Sequence, residues 1–224
     1  MYVTSSPNHT RFTTSISETL ATHAMGTARL REGECLYYEG DEVERLYQVL
    51  TGAVRLTRLL EDGRRQVIAF GFPGDIIGFP NDGLHQADCD ALIDTKLKSF
   101  RRSALENGDG EPVLHLALLQ AALREINAMQ EHFMMLGLKC SDERVASFLV
   151  TMLERCGEAT NVGRRVFLPM SRVDIADFLG LTVETVSRCF TALRRSGIIS
   201  LKNSQIVLVH DEAALAAKAL KQRD

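Results

Sequence analysis

The chain has 224 residues, 45% of them apolar, enough for one large domain or two modest ones and outside the disordered and fibrous classes. No run approaches eighteen consecutive apolar residues, and the polar, Ser/Thr-rich residues 1–31 lack the apolar stretch of a signal peptide, so a cytoplasmic protein with no membrane partner is expected. The formal net charge of −3 conceals an asymmetry: residues 160–224 hold ten basic against six acidic side chains and residues 1–159 sixteen against twenty-three, so the positive end is C-terminal.

From residue 28 to 100, short apolar pieces rich in Val, Ile, Leu and Tyr alternate with Glu39-Gly40-Asp41, Thr51-Gly52, Glu61-Asp62-Gly63 and Pro73-Gly74-Asp75. Pieces of this length separated by turn residues predict antiparallel hairpins, and their near-regular spacing predicts a small barrel or jelly roll.

Past a Gly/Asp-rich break at 107–110 the pattern becomes helical: Leu116, Leu119, Leu123, Ile126 and Phe133 are spaced by threes, fours and one seven, with Gln130 at the skipped position. A two-stranded coiled coil buries such a stripe, although one face packed on its own domain has the same spacing. The length of the stripe and its end in the adaptable side chains Met129, Met134 and Met135 favour a dimer seam. A second helix is predicted over 142–155, and Gly157, Asn161 and Gly163 mark 156–165 as a domain boundary.

The segment LPMSRVDIADFLGLTVETVSRCFTALRRSGIISLKNSQIVLV, residues 168–209, is the most informative. Ser171 can cap a helix whose N3 residue is Asp174 and whose apolar face is Ile175, Phe178 and Leu179, and Gly180 permits a sharp turn after it. Thr182, with Thr185 three residues on, can cap a second helix that turns Val183, Val186, Phe190 and Leu193 inward. Two short helices around a tight glycine turn make a helix-turn-helix, and the apolar pieces 198–201 and 206–209 supply the hairpin of a winged version.

On the second helix Glu184, Ser187 and Arg188 stand at i, i+3 and i+4 and share the face away from the apolar positions. Arg can bond guanine O6 and N7 bidentately, Glu can accept from cytosine N4, and Ser can adapt to either, so this face suits base edges. Ser171, Arg172, Thr182 and Thr185 lie at helix starts, where contacts to DNA phosphate position without specifying. The competing view of Glu184 and Arg188 is a solvated i, i+4 ion pair.

At these residues the chain resembles the Crp/Fnr superfamily of bacterial regulators: DIADFLGLTVETVSR is similar to the Fnr-type reading head, and EGDEVERLYQVLTGAVRL with GFPGDIIGF to the N-terminal sensor barrel. The resemblance implies an α+β chain with a cyclic-nucleotide-binding-like β-roll within residues 1–110, a long dimerisation helix within 111–140 and a winged helix-turn-helix within 141–224. It further implies a homodimer on double-stranded DNA, a TTGA-type palindrome read by Glu184, Ser187 and Arg188, and activation through RNA polymerase.

Departures from the family pattern bear on the signal. Members that bind cyclic AMP carry an arginine element for its phosphate, whereas no arginine lies between Gly74 and Lys96, so cyclic AMP is disfavoured. The cysteines Cys35, Cys89, Cys140, Cys156 and Cys189 are far apart, without a CxxC pair, so neither a metal site nor the Fnr iron-sulfur cluster is expected, and the chain looks FixK-like. His85 stands in the region where a haem ligand could sit, but a lone loop histidine is more often solvated, so no cofactor is expected. Cys189 follows Arg188, a neighbouring cation that could make it a redox thiol, yet it also borders the apolar face of its helix. The six histidines form no HxH pair, and no Walker loop, dinucleotide fingerprint or nucleophile elbow occurs, so the chain is not read as an enzyme.

Overall fold

A computed structural model describes residues 26–220, apart from the Asp109 side chain. The described chain divides into two compact units, residues 26–129 and 130–220.

The first unit is an antiparallel roll of β1 (Gly26–Leu30), β2 (Cys35–Tyr37), β3 (Arg45–Leu59), β4 (Arg65–Gly71), β5 (Ile76–Ile77) and β6 (Asp88–Arg101). The sheet runs β1-β6-β3-β4, with β2 also on β6 and β5 on β3. Register follows the buried side chains, Leu46 lying opposite Phe100, Val49 opposite Leu97 and Leu56 opposite Cys89.

The turns at Gly40, Gly63 and Gly74 form as the sequence predicts, each glycine at positive φ. Thr51-Gly52 is different: the chain does not turn there, and β3 continues through it for fifteen residues. Gly52 absorbs bulges in the β3–β6 register, and a Cβ on it would lie 2.3 Å from Thr95 Oγ1. The glycine that reads as a hairpin is there for close approach of two strands.

A short helix α1 (Arg102–Glu106) and a single 3-10 turn (Gly108–Gly110) lead into α2 (Pro112–Leu138), whose first residue is a proline, as suits a helix start. Leu114, Ala117, Leu118 and Ala121 of α2 join Leu46, Ile76, Phe100 and Ala104 in the core of the roll. The predicted stripe is a different face, with Leu116 56%, Leu119 40%, Leu123 60%, Ile126 50% and Phe133 74% exposed. Helix α2 thus carries two apolar faces, and the stripe is not the one its own roll covers.

The second unit contains α3 (Ser141–Cys156), β7 (Glu158–Thr160), β8 (Gly163–Phe167), α4 (Arg172–Leu179), α5 (Val183–Arg195), β9 (Ile199–Leu201), β10 (Ile206–Val209) and α6 (Glu212–Ala219). Residues 156–165, expected as a boundary, are instead the end of α3 and a hairpin in a four-stranded sheet ordered β7-β8-β10-β9. Glycine marks a turn and a domain edge equally well, and here Gly163 sits against the Val209 carbonyl. The wing hairpin forms as expected, its tip held by Asn203 Oδ1, which accepts from the Gln205 and Ile206 amides. Helix α6 has no counterpart in the sequence reading; Asp211 caps it and Leu215 and Ala219 anchor it on α3.

Candidate nucleic-acid interface

Local caps place the two helices. Ser171 Oγ accepts from the Asp174 amide at 3.1 Å while Asp174 Oδ2 accepts from the Ser171 amide at 2.9 Å, a reciprocal capping box that starts α4. Gly180 ends α4 at φ 61°, a left-handed conformation that glycine adopts without Cβ strain. Two residues later Thr182 Oγ1 accepts from the Thr185 amide at 3.2 Å and α5 begins.

Val186, Cys189, Phe190 and Leu193 are buried, and Val183 is partly so, which turns the opposite face of α5 outward. Glu184, Ser187 and Arg188 stand together on that outer face, all exposed. Arg188 Nη2 donates to Thr185 Oγ1 at 3.1 Å and makes no ion pair with Glu184. The solvated-pair alternative is therefore not what the side chains do, and the Glu184 carboxylate keeps its accepting capacity.

The phosphate candidates are placed less uniformly. The Ser171 and Thr182 hydroxyls are engaged as caps, and the Thr185 hydroxyl lies 3.0 Å from that of Thr182 while accepting from Arg188. The Arg172 guanidinium lies 3.6 Å over the Phe190 ring, its Nη1 buried without a hydrogen-bond partner. Burial pushes Arg172 down to about 10, which leaves it charged at neutral pH. Arg172 thus faces the inter-helix core as much as the surface.

Two features have no sequence signal beyond residue type. Arg144 on α3 donates from Nη2 to the Leu136 carbonyl at 2.6 Å, from Nε to Lys139 at 2.9 Å and from Nη1 to Leu179 at 3.0 Å, so one guanidinium binds the ends of two helices. The His132 ring stacks on Phe178 of α4 at 4.2 Å. The outer face of α5 also extends further than Glu184, Ser187 and Arg188: Thr191 and Arg195, at i+7 and i+11 from Glu184, border the same concavity as Ser187 and Arg188. That spacing was legible in the sequence.

Burial favours the apolar-face alternative for Cys189 and corrects the expectation of a solvated His85. Cys189 is 5% exposed, and burial, with Asp142 beside it, pushes its thiol up to about 12 against the small lowering effect of Arg188, so the thiolate that redox chemistry needs is suppressed. His85 is not a solvated loop residue: it is 5% exposed and stacks on Tyr37 at 3.5 Å, and burial pushes its imidazole down. Among the described residues no three His, Cys, Asp or Glu side chains gather as a metal site, and no helix is long and apolar enough to cross a membrane.

The chain matches a Crp-like helix-turn-helix domain over residues 143–218 and a cyclic nucleotide-binding domain over 27–107. It is 41% identical over 188 residues to the nitrogen fixation regulation protein FixK of Rhizobium meliloti (strain 1021), covering 84% of each chain. The transcriptional activatory protein AadR of Rhodopseudomonas palustris is 39% identical over 183 residues, 81% of this chain and 75% of that one. The structure of FixK2 from Bradyrhizobium japonicum superposes with a TM-score of 0.80 at 36% identity, over 88% of this chain and 98% of that one.

A roll of the cyclic nucleotide-binding kind followed by a winged helix-turn-helix defines a DNA-binding transcription regulator. The chain belongs to the Crp/Fnr family, on its FixK-like branch.

Proposed function

We propose that the protein is a cytoplasmic homodimeric activator, not an enzyme, that reads a TTGA-type palindrome through Glu184, Ser187 and Arg188 and contacts RNA polymerase once bound. The observation that carries this reading is the exposed face of α5, where a guanidinium, a carboxylate and a hydroxyl stand free of mutual ion pairing. The exposed stripe Leu116, Leu119, Leu123, Ile126 and Phe133 supports the dimer, because apolar side chains repeating along a helix gain most by packing against a second copy. Such a dimer presents its reading helices about 34 Å apart, one turn of the duplex.

The reading includes no cyclic AMP, cluster or haem. It rests on the absence of an arginine between Gly74 and Lys96, on scattered cysteines of which Cys89 and Cys189 are buried, and on the Tyr37–His85 stack. Oxidation of Cys189 has no part in it, given the burial of that thiol.

The test is binding of the purified, reduced protein, without added ligand, to a TTGA-type palindrome and a scrambled duplex across a salt series. Tight preference for the palindrome is expected; binding that is equally strong on both duplexes and only salt-sensitive would remove base reading by this face.

A further inference from the structure

Resting on that reading, the further question is where the reading face ends. Helix α5 rises about 1.5 Å per residue, so Arg195 stands about 10 Å beyond Arg188 and about 16 Å beyond Glu184 along the axis. A B-DNA major groove is about 12 Å wide, so a helix whose first turns reach base edges has left the groove floor by Arg195 and meets a strand backbone.

The surface there is basic. Thr191 and Arg195 border two adjoining concavities, one shared with Ser187, Arg188, Ala192 and Ser196, the other with Arg194, Ile199 and Ser200 at the root of the wing. Arg194 and Arg195 are both exposed, and neither has a carboxylate partner among the described residues. The Thr191 hydroxyl donates to the Ser187 carbonyl at 2.9 Å and the Ser196 hydroxyl to the Leu193 carbonyl at 3.0 Å, which leaves the guanidiniums as the charged donors bordering the space. Arg172, the arginine that sequence position alone suggests for phosphate, is instead drawn over Phe190.

We propose that Arg195, flanked by Arg194, is a phosphate-binding site that grips a DNA phosphodiester on the wing side of the reading face. A guanidinium can hold two phosphate oxygens at once, and this contact positions the helix without reading sequence.

The experiment compares wild type, Arg195→Gln and Arg195→Lys in full-length protein, on the palindrome and the scrambled duplex, over a salt series, with thermal unfolding of each variant as the control for folding. For Arg195→Gln the expected result is roughly tenfold weaker binding per bound protomer at 0.1 M salt, equal on both duplexes, and a slope of log K against log salt shallower by about 0.9 per bound protomer. Arg195→Lys, still a point charge, should keep the slope. An unchanged slope in Arg195→Gln, or a loss confined to the palindrome, overturns the proposal. If wild type does not distinguish the duplexes while Arg195→Gln still flattens the slope, base reading fails and the phosphate site stands. Wild type that binds neither duplex overturns both.

Discussion

The guanidinium of Arg144 holds the carbonyl of Leu179 at 3.0 Å, across thirty-five residues of sequence, while its other nitrogens hold the carbonyls of Leu136 and Lys139. Leu179 is the last residue of α4, so this contact steadies the turn at Gly180 that aims α5. Charge-assisted bonds to carbonyls are worth more than neutral ones, and Arg144→Ala is expected to destabilise the chain by about 2–4 kcal/mol. Arg144→Lys should recover little of this, because a single ammonium cannot span three carbonyls held by a planar fork. Urea unfolding of the three proteins checks it; a lysine variant as stable as wild type would count against the clamp.

Arg188→Ala should weaken binding to the palindrome by about 1–3 kcal/mol and relax specificity at one base pair per half-site, because its guanidinium is free to leave Thr185 for a base edge. Competition against single-base variants of the site measures this. Equal losses on matched and scrambled DNA would mean that Arg188 holds phosphate instead.

Leu123→Glu tests the seam. Leu123 is 60% exposed, so the change should leave the roll folded while placing like charges face to face in a dimer. A shift to monomer by at least tenfold in dissociation constant is expected in sedimentation, with a parallel loss of palindrome binding. A dimer of undiminished strength would place the interface elsewhere.

The His132 imidazole, pushed down to about 4 by burial first and by the Arg144 charge as well, stays neutral in the folded protein. An unfolded histidine titrates near 6.5, so below that pH the unfolded chain takes up a proton that the native chain refuses. Stability from this group is full above about pH 6.5 and falls as the pH drops toward 4, by up to about 3 kcal/mol. Urea midpoints between pH 7 and 4.5 should fall more steeply for wild type than for His132→Gln, and parallel curves would remove His132 as the cause.

Cys189 should react with a thiol reagent only after denaturation, and peroxide treatment of the folded protein should leave DNA binding unchanged when the exposed Cys140 is replaced by serine. Fast labelling of Cys189 in the native state would restore the redox reading.

Whatever a few neighbouring residues decide is legible in the sequence. The Ser171 and Thr182 caps, the Gly180 turn and the common face of Glu184, Ser187 and Arg188 follow from helical periodicity and hydrogen bonds three residues long. Whatever depends on distant partners is fixed only by packing. Arg172 meets Phe190 eighteen residues on, Gly52 meets Thr95, Arg144 meets Leu179, and the bulk over Cys189 outweighs the charge of its neighbour Arg188. Nor could spacing alone say which apolar face of α2 the roll would take. Leu114, Ala117, Leu118 and Ala121 are the ones that Leu46 and Phe100 cover, and only that packing leaves Leu116, Leu119, Leu123 and Ile126 to the solvent.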